Sequence, residues 1–170
     1  MRDDSPKLAA LRKCPASTKI ARVEFDFGWD SEPVVDEESQ MPYYRMYVLF
    51  ADRVSGKRLT YYSCHPDDFM DAAFTAWAEL IQQYGKPQTL YVTRPESVGL
   101  FQDFADKISV KVKVVKRLPA VQRLFRQNGI IYSAFCINRR EFAICTDFFR
   151  HFAGDFLPPC RDSLPPRQFS

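Results

Sequence analysis

KIARVEFDFGW (residues 19–29) opens the stretch that decides the fold, and this stretch extends to Arg126. Residues alternate along the segment, with Val23, Phe25, Phe27 and Trp29 on one side and Glu24, Asp26 and Gly28 on the other. A period of two is typical of a β-strand, because successive side chains point to opposite faces. We therefore predict a strand with one face in the core.

Two further strands are predicted at YRMYVLFAD (44–52) and KRLTYYSC (57–64). The residues between them, RVSG (53–56), end in a glycine, which tolerates the positive φ that a short hairpin turn needs. The two segments therefore form a β-hairpin. The acidic stretch before them, residues 30–42, lacks periodicity and contains two prolines, which predicts an exposed loop.

Helices and strands alternate after the hairpin. HPDDFMDAAFTAWAELIQQYGKP (65–87) carries an apolar stripe at helical spacing that includes Trp77, with Pro66 at its start and Gly85 at its end. TLYVT (89–93) and ISVKVKVV (108–115) have the composition of strands, and helical patterns follow them at 94–107 and 118–128. This alternation predicts right-handed crossovers and a partly parallel sheet.

The order of elements, together with VEFDF (23–27), the hairpin and YGKPQTLYVT (84–93), resembles the ribonuclease H-like fold of transposases and integrases. The chain is also similar to uncharacterised bacterial domains of this layout, in which stretches like LYVT (90–93) and VVKRLPAVQ (114–122) recur. The resemblance implies an α/β fold with a mixed five-stranded sheet in the order 3-2-1-4-5. The strand at 21–29 would be central, with the helix at 67–84 packed on it through Trp77, and a C-terminal helical extension would follow.

The chain is long enough for one domain with flanking segments. We expect a flexible N-terminal arm at residues 1–17, the ribonuclease H-like domain at 18–128, a C-terminal extension docked on it at 129–157, and a proline-rich tail at 158–170. The extension contains a candidate strand at 130–137 and apolar residues at helical spacing from Phe142 to Phe152.

The resemblance also implies where catalytic acids would lie. Active relatives hold two metal ions, about 4 Å apart, between converging carboxylates. Asp26 matches the first acid, but Thr93 and Arg94 stand where the second is expected, and the helix at 117–128 contains no acid. Glu96 and Asp147 are candidate replacements, and Mg or Mn would be the cofactor only if they serve.

Thr93-Arg94-Pro95-Glu96 also fits a capping box, in which the hydroxyl and the carboxylate satisfy free amides at a helix start. We favour that interpretation over a displaced metal ligand. Cys64 and His65 are adjacent in a strand, so they cannot form a nucleophile–base pair, and His65 is expected to cap the following helix. Neither a glycine-rich phosphate loop nor a Cys-x-x-Cys pair occurs, so we predict no nucleotide and no bound metal.

Charge is distributed unevenly along the chain. Glu24 to Glu38 contains seven acids and no base, whereas Lys107 to Arg140 contains nine bases and no acid. Candidate nucleic-acid-binding residues in the basic stretch are Lys111, Lys113, Lys116 and Arg117. The alternative is that these are solvated residues of an edge strand, where lysine prevents pairing with other chains.

Five irregularly spaced cysteines suggest reduced thiols, and the longest apolar runs are only a few residues. We expect a soluble cytoplasmic protein that does not enter a membrane.

Two classes of function remain. The favoured one is a catalytically silent ribonuclease H-like binding module without a cofactor, whose partner is a protein or a nucleic acid. The alternative is a divalent-metal-dependent nuclease or strand-transfer enzyme with an unconventional carboxylate set, Asp26, Glu96 and Asp147. The incomplete set of acids favours a protein that is not an enzyme.

Overall fold

A computed structural model of the chain describes residues 6–132. The helices are α1 (Pro6–Lys13), α2 (Phe69–Tyr84), α3 (Pro95–Lys107) and α4 (Pro119–Gln127), and a 3₁₀ turn (Pro66–Asp68) precedes α2. The strands are β1 (Arg22–Trp29), β2 (Val34–Val35), β3 (Pro42–Tyr43), β4 (Met46–Asp52), β5 (Arg58–Cys64), β6 (Thr89–Val92), β7 (Lys111–Val114) and β8 (Ile131–Tyr132). None of the helices in this range is both long enough and apolar enough to cross a membrane.

The main sheet has the strand order β5-β4-β1-β6-β7. β1 pairs with β4, and β4 with β5, in antiparallel fashion, whereas β1–β6 and β6–β7 are parallel. This is the predicted mixed sheet in the order 3-2-1-4-5 with β1 at its centre, so the ribonuclease H-like fold class is confirmed. A short sixth strand, β8, pairs with Gly28 and Trp29 at the end of β1.

The hairpin between β4 and β5 is confirmed, and Gly56 adopts the expected positive φ of 69°. Asp52 accepts hydrogen bonds from the amides of Val54 and Ser55, which organises the turn. Arg123 of α4 donates to the carbonyl of Gly56 at 2.9 Å. The tip of the hairpin is therefore attached to α4.

Both faces of β1 are buried, so the prediction of a single core face is incomplete. On one face, the Phe25 and Phe50 rings meet Trp77 of α2 and Phe101 of α3. Burying such side chains is worth about 1.5–3 kcal/mol each. On the other face, α4 packs against β4 in a cluster of buried residues: Leu49, Ala51, Leu118, Ala120, Val121, Phe125 and Ile130. Glu24 and Asp26 of β1 lie on that second face and are fully buried.

The predicted flexible arm contains helix α1, which differs from the expectation for residues 1–17. Leu8 and Leu11 are buried, and the backbones of Ser17 and Lys86 are joined by a 2.8 Å hydrogen bond. Burial of two leucines on one helix face outweighs the conformational entropy that a free arm would retain.

The acidic stretch predicted as a loop contains β2 and β3, which pair as a small hairpin. The candidate strand at 130–137 lies within the described range only as far as Tyr132, where β8 forms. The rest of the predicted extension, after residue 132, and the proline-rich tail lie outside the described residues.

Candidate functional site

Asp26 lies on β1 beside the point where β6 ends. The parallel register pairs Glu24 with Tyr91, which brings Asp26 alongside Thr93, the residue after β6. One carboxylate oxygen of Asp26 accepts a hydrogen bond from the Thr93 hydroxyl at 3.0 Å. The other accepts from the Phe27 amide at 2.9 Å and lies 3.0 Å from Nη2 of Arg94. The side chain is only 1% exposed, so its partners come from the protein.

Arg94 supplies the positive charge at this site. Its Nη2 also donates to the Phe27 carbonyl at 2.9 Å, and its guanidinium lies 3.9 Å from the centre of the Phe27 ring. The Trp29 ring is 5.9 Å away on the same strand. A guanidinium held by a carboxylate, a carbonyl and an aromatic face is fixed in place. Arg94 therefore gives the buried Asp26 carboxylate a positively charged partner from within the protein.

The predicted capping box at Thr93–Glu96 is wrong. The residue that caps α3 is Arg94, and no side chain makes a capping hydrogen bond there. The Thr93 hydroxyl donates to Asp26 instead. The helix starts one residue later than the pattern predicts, so Thr93 is not at the capping position. Glu96 is solvent-exposed in the first turn of α3.

Only two members of the alternative carboxylate set, Asp26 and Glu96, lie in the described part of the chain. Asp26 is buried against Arg94, Glu96 is on the surface, and Asp147 lies outside the described residues. Within residues 6–132, no three His, Cys, Asp or Glu side chains come together in a group that could hold a metal ion.

Glu24 is the buried charged residue whose role the sequence did not indicate. One of its carboxylate oxygens accepts from Nη1 of Arg53 at 2.8 Å. The other accepts from the backbone amides of Ala120 and Val121, at 2.9 and 3.1 Å, in the first turn of α4. Glu24 thus caps α4 from a neighbouring strand, where negative charge also favours the positive end of the helix dipole.

The environment of Glu24 sets its protonation. Burial raises the pKa of Glu24, while the Val121 amide, the Arg53 guanidinium and the Ala120 amide oppose that rise, and the nearby Asp52 carboxylate adds to it. Arg53 lies with its guanidinium 4.5 Å from the centre of the Tyr91 ring. The carboxylate of Glu24 therefore joins β1 to α4 and, through Arg53, to the β4–β5 hairpin and to Tyr91 of β6.

The candidate nucleic-acid-binding residues lie on β7, the strand that pairs with β6, and in the turn that follows β7. The β6–β7 register pairs Thr89 with Lys111 and Tyr91 with Lys113, which puts both lysines on the sheet face that Tyr91 and α4 share. Lys116 and Arg117 follow in the turn to α4, and all four candidate residues are exposed. Lys111, Lys113, Lys116 and Arg117 are called the basic edge below.

The Cys64–His65 pair behaves as expected for structural residues. The ring of His65 accepts a hydrogen bond from the Asp67 amide at 3.2 Å, which confirms its predicted capping role. Burial, with a smaller contribution from the Asp68 charge, raises the pKa of the Cys64 thiol to about 11. A thiol that stays protonated is a poor nucleophile.

Comparisons with known proteins give one family match and several similar solved structures. The sequence profile of a family described as "Domain of unknown function (DUF6930)" matches residues 7–127. No curated protein matches the chain. Solved structures similar to it include the magnesium complex of the HTLV-2 integrase catalytic core domain in its dimeric form, at 16% identity and a TM-score of 0.46, over 76% of this chain and 83% of that one. The trimeric form has 15% identity and a TM-score of 0.45, over 86% and 92%.

Replacing Arg53 tests the Glu24 arrangement through the pH dependence of stability. The raised pKa means that Glu24 contributes stability that is complete below its ordinary value of 4.5 and is lost as the pH rises through the folded-state pKa. Arg53→Met removes an opposing positive charge and raises that pKa further. We expect a loss of about 3 kcal/mol in the free energy of unfolding at neutral pH, which shrinks as the pH falls toward 4.5.

Urea denaturation across this pH range measures the effect, with Arg22→Met as the control, an exposed arginine on the same strand as Glu24. A loss of stability in Arg53→Met that is the same at acidic and neutral pH would contradict the assignment.

Proposed function

The chain belongs to the DUF6930 family of domains of unknown function, and we propose that it is a catalytically silent module of the ribonuclease H-like fold that binds nucleic acid. The observation that carries the first part of this proposal, catalytic silence, is the ion pair between Arg94 and Asp26. The two parts of the proposal, silence and binding, rest on separate residues and have separate tests.

Catalytic silence follows from charge. A guanidinium 3.0 Å from Asp26 repels a cation that approaches the same carboxylate. Two unit charges about 4 Å apart interact with about 4 kcal/mol near a protein surface, so a divalent ion would face roughly twice that repulsion. The resemblance implies that catalysis needs further acids beside Asp26, and in this chain Thr93 and Arg94 hold those places.

Binding of nucleic acid is supported by the basic edge. Its four residues lie within seven positions of one another, with no acid between them. Positive side chains that neutralise phosphates supply most sequence-independent affinity for nucleic acid. A nucleic-acid partner is therefore our proposal for the basic edge.

The alternative function, a metal-dependent nuclease or strand-transfer enzyme, makes a different prediction for the same residues. It requires Asp26 to bind a metal ion and Arg94 to move away. The contacts of Arg94 with the Phe27 carbonyl and ring oppose such a movement.

For catalytic silence, we expect no cleavage of single- or double-stranded DNA or RNA by the purified chain with Mg²⁺ or Mn²⁺. Asp26→Asn should behave as the wild type does in this assay, because Asp26 pairs with Arg94 rather than with a metal. Fluorescently labelled oligonucleotides provide the measurement. Metal-dependent cleavage that disappears in Asp26→Asn would establish the alternative.

For binding, we expect affinity for oligonucleotides that depends on salt and on the basic edge. If about four phosphates are engaged, doubling the salt concentration should weaken binding about tenfold. Lys111→Glu with Lys113→Glu should weaken binding at least about tenfold by the same counterion release. Fluorescence anisotropy measures both effects.

The matched control is Lys13→Glu with Lys19→Glu, which changes the net charge equally at two other exposed lysines. Equal losses in the two double variants would show that only the net charge matters and would contradict a localised site.

A further inference from the structure

The hairpin of β2 and β3 exposes apolar side chains among carboxylates. Val35, Met41 and Tyr44 are 60%, 65% and 48% exposed, and they make up half of the large apolar residues that are exposed in the described part of the chain. Residues 30–44 also contain five acids and no base. We call residues 30–44 the acidic hairpin. Apolar side chains gathered on one small element mark an interaction surface more often than scattered ones do.

The acidic hairpin is held in a defined position. At its base, the Asp30 amide donates to the Arg45 carbonyl, and the Tyr47 hydroxyl donates to the Asp30 carboxylate, both at 2.9 Å. The Tyr43 ring packs on His65 with centroids 4.5 Å apart. The turn between β2 and β3 is closed by the Asp36 carboxylate, which accepts a hydrogen bond from the Ser39 amide at 2.7 Å. The exposed apolar residues are therefore presented on an ordered support.

The basic edge has the complementary character. β7 is at the end of the strand order, and Val114 on it is 54% exposed. Val114 lies on the opposite face of β7 from Lys111 and Lys113, because successive side chains of a strand alternate. The acidic hairpin starts at Asp30, directly after β1, and its Tyr43 ring contacts His65 at the end of β5. The acidic hairpin and the basic edge are therefore two separate surfaces built on different elements of the chain.

We propose that the acidic hairpin of one copy docks on the basic edge of a second copy, so that the chain associates with itself. Val35 and Met41 would pack on the exposed side of β7 that carries Val114, and the hairpin carboxylates would pair with Lys111, Lys113, Lys116 and Arg117. Two different surfaces of opposite charge on one chain are what head-to-tail association requires. The partner is a second copy of the chain, so the inference goes beyond the proposed function, although both use the basic edge.

Sedimentation equilibrium of the full chain tests the proposal. We expect a mass that rises with concentration above the 19.8 kDa of one copy at about 0.1 M salt, and that returns to one copy at about 1 M salt. The salt shortens the screening length from about 10 Å to about 3 Å and so weakens exposed charge pairs. A single copy at every concentration in low salt would overturn the proposal.

A charge swap tests the pairing itself. Glu37→Lys with Glu38→Lys should remain a single copy, because the hairpin then loses most of the negative charge that would pair with the basic edge. Lys111→Glu with Lys113→Glu should also remain a single copy, because the basic edge then loses its net positive charge. An equimolar mixture of the two variants should regain a mass of about twice 19.8 kDa. Failure of the mixture to associate, when the wild type does, would overturn the assignment of these two surfaces.

The apolar half of the contact is tested by Val35→Ser with Met41→Ser. Both side chains are exposed, so the variant should keep the thermal stability of the wild type while its self-association weakens at least about tenfold. Its affinity for oligonucleotides should not change, because neither residue belongs to the basic edge. Self-association can therefore fail while nucleic-acid binding holds, or the reverse. Unchanged self-association in this variant would contradict the docking of the hairpin.

Discussion

Two carboxylates on the central strand must each be given a positive partner, and the arrangement of the domain follows from that requirement. Glu24 and Asp26 project from the same face of β1, and both are fully buried. A buried carboxylate without hydrogen bonds and an opposite charge costs several kcal/mol, so each is satisfied from another element. Arg53 comes from the turn after β4 and Arg94 from the junction of β6 and α3.

The two ion pairs join different parts of the chain to β1. Glu24 joins β1 to the first turn of α4 and to the turn of the β4–β5 hairpin. The hydrogen bond from Arg123 to the Gly56 carbonyl joins α4 and that hairpin to each other. Through Asp26, the strand holds the end of β6 and the start of α3. The proposal of catalytic silence rests on this second ion pair.

The sequence predicts the sheet well because its signals are local. Alternation along β1, Gly56 in the turn and the apolar stripe with Trp77 each act over a few residues, and strand order follows from the length and direction of the connections. The partner of Glu24 could not be predicted in this way, since Arg53 and Ala120 are 29 and 96 residues distant and no local pattern joins them. Thr93 shows the opposite failure: a local capping pattern predicted that it caps α3, but the capping residue is Arg94, and the Thr93 hydroxyl donates to Asp26, 67 residues away. α1 was missed for a related reason, because eight residues of weak periodicity become a stable helix only when Leu8 and Leu11 are covered.

The most direct test of the central claim is a titration with Mn²⁺ that compares the wild type with Arg94→Asp. That substitution replaces the guanidinium by a second carboxylate next to Asp26, so it should create a cation site where the wild type has an ion pair. A ligand that binds only the folded state at ten times its Kd adds about 1.4 kcal/mol, or several degrees in Tm for a domain of this size. We predict that Mn²⁺ raises the Tm of Arg94→Asp and leaves that of the wild type unchanged. A Mn²⁺-dependent rise in the wild type, lost in Asp26→Asn, would contradict the account.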